Sequence, residues 1–256
     1  MKKYLACLTG SMIAVVCLWG CKKESNAGDH PAKFTGCRIT NILKVEENTK
    51  YAVADSFFYN DDGTVNKIHS VCLTLSNSNS TEYFTYKTGN MLISSKPDDG
   101  GASKEMYSID VDLQNRITAI RTSDNSSFDN TWLSYQYDSS GNMVLITNNY
   151  YNTISTQNFQ WKNGDLQWST SGTSVITYVY DTGLYNTGNI KSGMSDFMNY
   201  GRGIYTSKRL RTKAIIDNKD TINYTYVLDN GGKITNLTIR EPDNFVTRYE
   251  IKYSCE

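Results

Sequence analysis

The chain is 256 residues long, with 26 basic and 26 acidic side chains, 39% hydrophobic and 12% aromatic residues, and 3 prolines against 18 glycines. That length holds one large all-β domain or two ordinary ones, either able to bury a core. Zero net charge removes the electrostatic case for a nucleic-acid partner, which needs a basic excess against phosphate. Two histidines, His30 and His69, are too few for a histidine-based metal centre, and nothing calls for a cofactor.

At the N-terminus, Lys2 and Lys3 precede an uncharged apolar run from Tyr4 to Trp19. These are the n-region and h-region of an export signal, in a run too short for a confident spanning helix. The run closes on Leu18-Trp19-Gly20-Cys21, which resembles the lipobox of bacterial lipoproteins, with Trp19 where that family carries a small residue. The resemblance implies removal of residues 1–20 and acylation of the Cys21 thiol. The loss takes two lysines and no acid, leaving 24 basic against 26 acidic residues. Each buried acyl methylene adds about 0.8 kcal/mol, so multiple chains hold a protein on a membrane durably. Residues 21–34 are polar, include Gly28 and Pro31, and read as a flexible tether. Lys22 stands where many inner-membrane lipoproteins carry aspartate, so the resemblance implies the outer membrane, on its periplasmic or its surface face.

The folded part, residues 35–256, keeps Cys37, Cys72 and Cys255, and three cysteines cannot all pair. A Cys37–Cys255 bridge would close the longest loop available, where loop entropy favours a crosslink most. Buried free thiols are the other reading.

From Phe57 onward the chain repeats at roughly 25 residues. Asn60-Asp61-Asp62-Gly63, Asp112-Leu113-Gln114-Asn115, Asp138-Ser139-Ser140-Gly141 and Asp229-Asn230-Gly231-Gly232 each follow alternating apolar residues and precede another apolar pair. Asn115 stands for glycine in one copy, and asparagine is the non-glycine residue that best tolerates positive φ, so the frame predicts a left-handed residue at 63, 115, 141 and 232. The leading Asp or Asn can accept a bond from the backbone two residues on. Shorter copies turn at Thr88-Gly89 and Asn163-Gly164, the latter a type I′ signal, and a seventh begins at Tyr178-Val179-Tyr180-Asp181. Alternation into a tight turn and out again predicts antiparallel strands in a meander.

Strand, Tyr-Asp, two variable residues, Gly-Asn, strand, as at Tyr137-Asp138-Ser139-Ser140-Gly141-Asn142, resembles the YD (Rhs-type) repeat. From Cys37-Arg38-Ile39-Thr40 to Tyr253-Ser254-Cys255, the layout is similar to a Bacteroidetes lipoprotein family, domain of unknown function 4595. The resemblance implies the fold and the envelope location and brings no catalytic residue with it.

The repeats align Tyr135/Tyr137, Phe159/Trp161, Tyr178/Tyr180 and Tyr224/Tyr226 on one face of their strands. Such a stripe reads first as core packing. Its functional reading is a sugar or peptide platform with Trp132, Trp161, Trp168, Tyr135, Tyr137, Tyr178 and Tyr180 as ligand-binding candidates. After Tyr180 the repeat lapses until Tyr224, giving an insertion at about residues 181–216 that covers a sheet end or forms a functional loop, with Ser195 as the N-cap of a short helix. Lys208, Arg209, Arg211 and Lys213 form a basic run that reads as a solvated strand face, with polyanion contact as the alternative. Asp61, Asp62, Asp98, Asp99 and Asp138 supply carboxylates from which a glycosidase could draw a pair, but no nucleophile elbow, phosphate loop, HExxH or CxxC motif follows residue 21.

The sequence thus predicts an all-β protein whose ~25-residue hairpin repeats form a long twisted antiparallel meander sheet, curled or packed on itself, with one loop or short-helix insertion. It predicts a lipid-anchored envelope protein that binds a glycan, a peptide or a partner protein without catalysis. The alternatives are a carbohydrate hydrolase with paired carboxylates and a structural accessory subunit of an envelope complex.

Overall fold

The structure is a computed structural model that describes residues 37–74, 79–114, 116–122, 132–150, 153–185 and 207–255. Its first eight strands are β1 (Cys37–Glu46), β2 (Tyr51–Tyr59), β3 (Val65–Cys72), β4 (Ser80–Lys87), β5 (Asn90–Pro97), β6 (Lys104–Val111), β7 (Ile117–Thr122) and β8 (Trp132–Tyr137). The second eight are β9 (Met143–Tyr150), β10 (Thr153–Lys162), β11 (Asp165–Ser171), β12 (Ser174–Tyr185), β13 (Arg209–Ile216), β14 (Asp220–Leu228), β15 (Ile234–Arg240) and β16 (Val246–Cys255). Every strand pairs antiparallel with its chain neighbours, and β1 pairs with β16 from Cys37↔Cys255 to Glu46↔Thr247, closing a barrel of 16 strands. Closure removes both exposed sheet edges. A disulfide between Cys37 and Cys255 ties the seam, while Cys72 is a buried thiol.

The turns follow their chemistry. Gly63, Gly141 and Gly232 have φ of +83°, +82° and +78°, and Asn163-Gly164 is left-handed at both residues. In three hairpins the leading aspartate accepts from the backbone two and four residues on: Asp112 from Gln114 and Arg116, Asp138 from Ser140 and Asn142, Asp229 from Gly231 and Lys233. These bonds hold the three carboxyls below the usual aspartate range. For Asp138 the Asn142 side chain contributes most; for Asp229 it is the Lys233 backbone; for Asp112 burial opposes the bonds from Arg116 and loses. Asn115 lies outside the described residues.

Two sequence expectations need correction. The long twisted meander sheet, expected to curl or pack on itself, closes into a barrel, and the expected loop or short-helix insertion is strand at both ends. β12 runs through Asp181 to Tyr185 without the turn expected there, the Asp181 carboxylate accepting from the Gly183 and Leu184 amides across a register shift. β13 resumes at Arg209, and the expected helix at Ser195 lies outside the described residues.

Inward side chains form one continuous core around the whole circumference, from Ile39 and Phe57 to Leu237 and Ile251. Ile68, Ile93, Leu166 and Ile239 are 0% exposed, so at these levels the lumen holds no water-filled channel. A 16-stranded porin encloses one, because polar side chains line its lumen and apolar ones face lipid. Here the faces are exchanged. On β16, inward Tyr249 and Ile251 alternate with exposed Arg248, Glu250 and Lys252; on β14, Tyr224 alternates with exposed Asn223 and Thr225.

Candidate functional site

The barrel has two unlike ends. At one lie the aspartate turns and both ends of the described chain, Cys37 and Cys255. Six even-numbered strands arrive there with an aromatic side chain that donates to a main-chain carbonyl of the preceding strand. Tyr59 reaches Ile39 at 2.5 Å, Tyr137 reaches Ile117 at 2.7 Å, Trp161 reaches Met143 at 2.8 Å, Tyr180 reaches Leu166 at 2.7 Å, Tyr226 reaches Arg211 at 2.8 Å and Tyr253 reaches Ile234 at 2.9 Å. Each accepting residue lies at a register shift: Val111↔Ile117, Tyr137↔Met143, Trp161↔Leu166, Tyr180↔Arg211 and Leu228↔Ile234 all close one, and Ile39 flanks the shift between β1 and β16. A bulge leaves a ladder group unpaired, and the aromatic hydrogen bonds these carbonyls.

This assigns the predicted aromatic candidates. Tyr135 and Tyr178 are buried core; Tyr137, Tyr180 and Trp161 are half-buried parts of the ring of caps. Trp132 and Trp168 lie on the outer face by alternation with inward Leu133 and Ser169, on strands separated by β9 and β10. The seven do not share one surface. Cys21 lies outside the described residues. The basic run does not form one face either: Lys208 and Lys213 are exposed, Arg209 pairs with Asp165 at 2.7 Å, and Arg211 is fully buried with its guanidinium 4.0 Å from the Tyr178 ring centroid. Among the turn carboxylates, Asp62, Asp99 and Asp138 accept backbone N–H groups and Asp98 lies 2.8 Å from His69.

At the opposite end the inward rows change character. Phe57–Ile68 leads across the sheet to Glu82–Ser95, Ile120–Leu133 to Asn148–Ser155, and Tyr135–Ile146 to Gln157–Ser171. Since the strands are tilted, each row begins apolar and climbs to a polar mouth.

On one side of this mouth lies a carboxyl pair. Asp55 accepts from the Ser70 hydroxyl at 2.7 Å, and Glu82 Oε2 has no hydrogen-bond partner among the described residues. Burial pushes Asp55 up to about 6 against the pull of Ser70 and Lys44, and pushes Glu82, further raised by Asp55, up to about 8. Glu82 therefore holds its proton at neutral pH. Both groups can exchange protons, but at 7% and 2% exposure they are closed to a polymeric substrate.

On the other side a cleft is lined by Leu133, Ile146, Asn148, Ser155, Thr156, Gln157 and Ser171. Ser155 and Thr156 are exposed, so it opens at the mouth. Gln157 is 4% exposed, and neither its amide nitrogen nor its amide oxygen has a hydrogen-bond partner among the described residues. The signal for these groups was present in the sequence: Asp55, Glu82 and Gln157 each stand on the apolar phase of their strand, in register with Phe57, Phe84 and Phe159.

No protein-family profile matches the chain, and no curated protein matches it in sequence. Among solved structures, a porin-like protein from Bacteroides uniformis is similar with a TM-score of 0.62 at 18% identity, over 87% of this chain and 98% of that one. The likeness shows a shared fold. A porin-like protein from Bacteroides vulgatus (TM-score 0.36, 10% identity, 84% and 98% covered) and the TcdB2-TccC3 complex (0.34, 13%, 77% and 10%) score too low to bear on the architecture.

Proposed function

We infer that the chain is a lipid-anchored protein of the bacterial envelope, in the outer membrane, whose barrel stands outside the bilayer as a non-catalytic binding module. The observation that carries this reading is the exchange of faces: an interior packed mainly with apolar side chains, beneath strands such as β16 whose outer positions are charged, suits water on the outside, not lipid. Attachment through Cys21, as the lipobox resemblance implies, would join the membrane to the barrel at Cys37, on the end with the aspartate turns. The polar mouth would then point away from the bilayer, toward a glycan or another envelope component.

The test has two arms. Radiolabelled palmitate should enter the full chain in a Gram-negative host, and Cys21→Ala should abolish the label; a labelled Cys21→Ala chain contradicts the anchor. A glycan array probed with the full chain in detergent should give selective hits, and uniform background contradicts the glycan-binding reading.

A further inference from the structure

We propose that the cleft between β8, β9, β10 and β11 recognises the acetamido group of N-acetylated sugars. The inference rests on the binding-module reading and names its ligand class. Gln157 buries a carboxamide whose donor and acceptor are both unmet among the described residues, a state that costs stability unless an occupant supplies the complementary groups. The occupant must therefore bring an acceptor and a donor.

The lining narrows the choice. None of its seven residues is charged, so an ammonium or carboxylate would be desolvated with no counter-charge. Leu133, paired with Ile120, and Ile146, paired with Tyr135, bring two adjacent inward rows together as an apolar wall beside the amide. Water satisfies Gln157 but leaves that wall wet; a sugar bearing only hydroxyls does the same. An acetamido group puts a methyl against the wall and a carbonyl oxygen where the Gln157 Nε2 can donate. Its N–H can donate to a side-chain oxygen of Asn148 or Ser171, and an adjacent ring hydroxyl can donate to Gln157 Oε1. The exposed Ser155 hydroxyl at the rim, on the same phase as Gln157, suits a pyranose better than a peptide chain.

The experiment is calorimetric titration of the full chain in detergent micelles with N-acetylglucosamine, glucosamine, glucose and N-acetylalanine methylamide. N-Acetylglucosamine should bind at least tenfold tighter than the other three. Gln157→Leu should abolish that binding while raising the thermal midpoint, since it removes an unmet polar group from the interior. Ser171→Ala, a smaller change on the facing strand, should weaken binding severalfold. Equal binding of glucose, equal binding of the acetylated peptide, or undiminished binding by both variants overturns the inference. So does no binding of any of the four, which leaves an ordered water as the occupant. Array hits without acetamido preference would overturn this inference and leave the glycan-binding reading standing, whereas an empty array would remove both.

Discussion

The two ends of the barrel use polar side chains in opposite ways. At the turn end, aspartates, tyrosines and a tryptophan are spent on backbone groups that tight turns and bulges would leave unpaired. At the mouth, Glu82 and Gln157 carry polar atoms that nothing in the described chain satisfies. A side chain that pays for its own burial with hydrogen bonds is architecture, and one that does not is available for a ligand, so the mouth is where function should be sought.

The contrast can be sharpened in steps of decreasing size. Removing the seam disulfide with Cys37→Ser and Cys255→Ser should lower stability by about 4 kcal/mol, because the bridge closes a loop spanning nearly the whole domain. Denaturant unfolding reads this directly, and an unmoved midpoint would mean that the 16-strand seam holds without its clasp.

At the mouth, Glu82→Gln should stabilise at pH 8 by on the order of 3 kcal/mol. The folded chain keeps the Glu82 proton up to about 8, while the unfolded chain releases it near 4.5. The folded state thus binds more protons across that window, and stability falls as pH rises through it. Asp55 adds a smaller slope of the same sign between 3.8 and about 6. Thermal melts from pH 4 to 9 should show this decline flattened in Glu82→Gln; an unchanged slope would place the cost elsewhere.

The smallest test lies within β8. Tyr137 donates to the Ile117 carbonyl, whereas the Tyr135 hydroxyl, two residues earlier and buried, has no partner among the described residues. Tyr137→Phe should cost about 1 kcal/mol, and Tyr135→Phe should be neutral or stabilising. Equal losses would erase the distinction between spent and unspent polar groups.

The turn frame was legible because local chemistry determines it: Gly63, Gly141 and Gly232 must take a backbone angle that other residues resist, and the aspartates that open the turns bond as their type predicts. Closure was not. Alternation marks a buried face but says nothing about whether strands 218 residues apart in sequence meet, and only the cysteines at each end hinted at it. The aromatic stripe was placed correctly on one face and read first as core, yet period 2 does not distinguish inward from outward, so Tyr135 and Tyr178 also stood as platform candidates. Asp55, Glu82 and Gln157 were passed over because a polar residue among apolar ones looks like noise until the strand's phase shows that it points inward.

Which face of the barrel meets water decides where the protein sits. Trp132 and Trp168 lie on the outer face and Trp161 in the ring of caps, so a Trp19→Phe chain reports on the barrel alone. Reconstituted with vesicles carrying brominated acyl chains, its fluorescence should be insensitive to bromine and quenched by aqueous acrylamide. Quenching by bromine, with protection from acrylamide, would put the outer face in lipid and contradict the account.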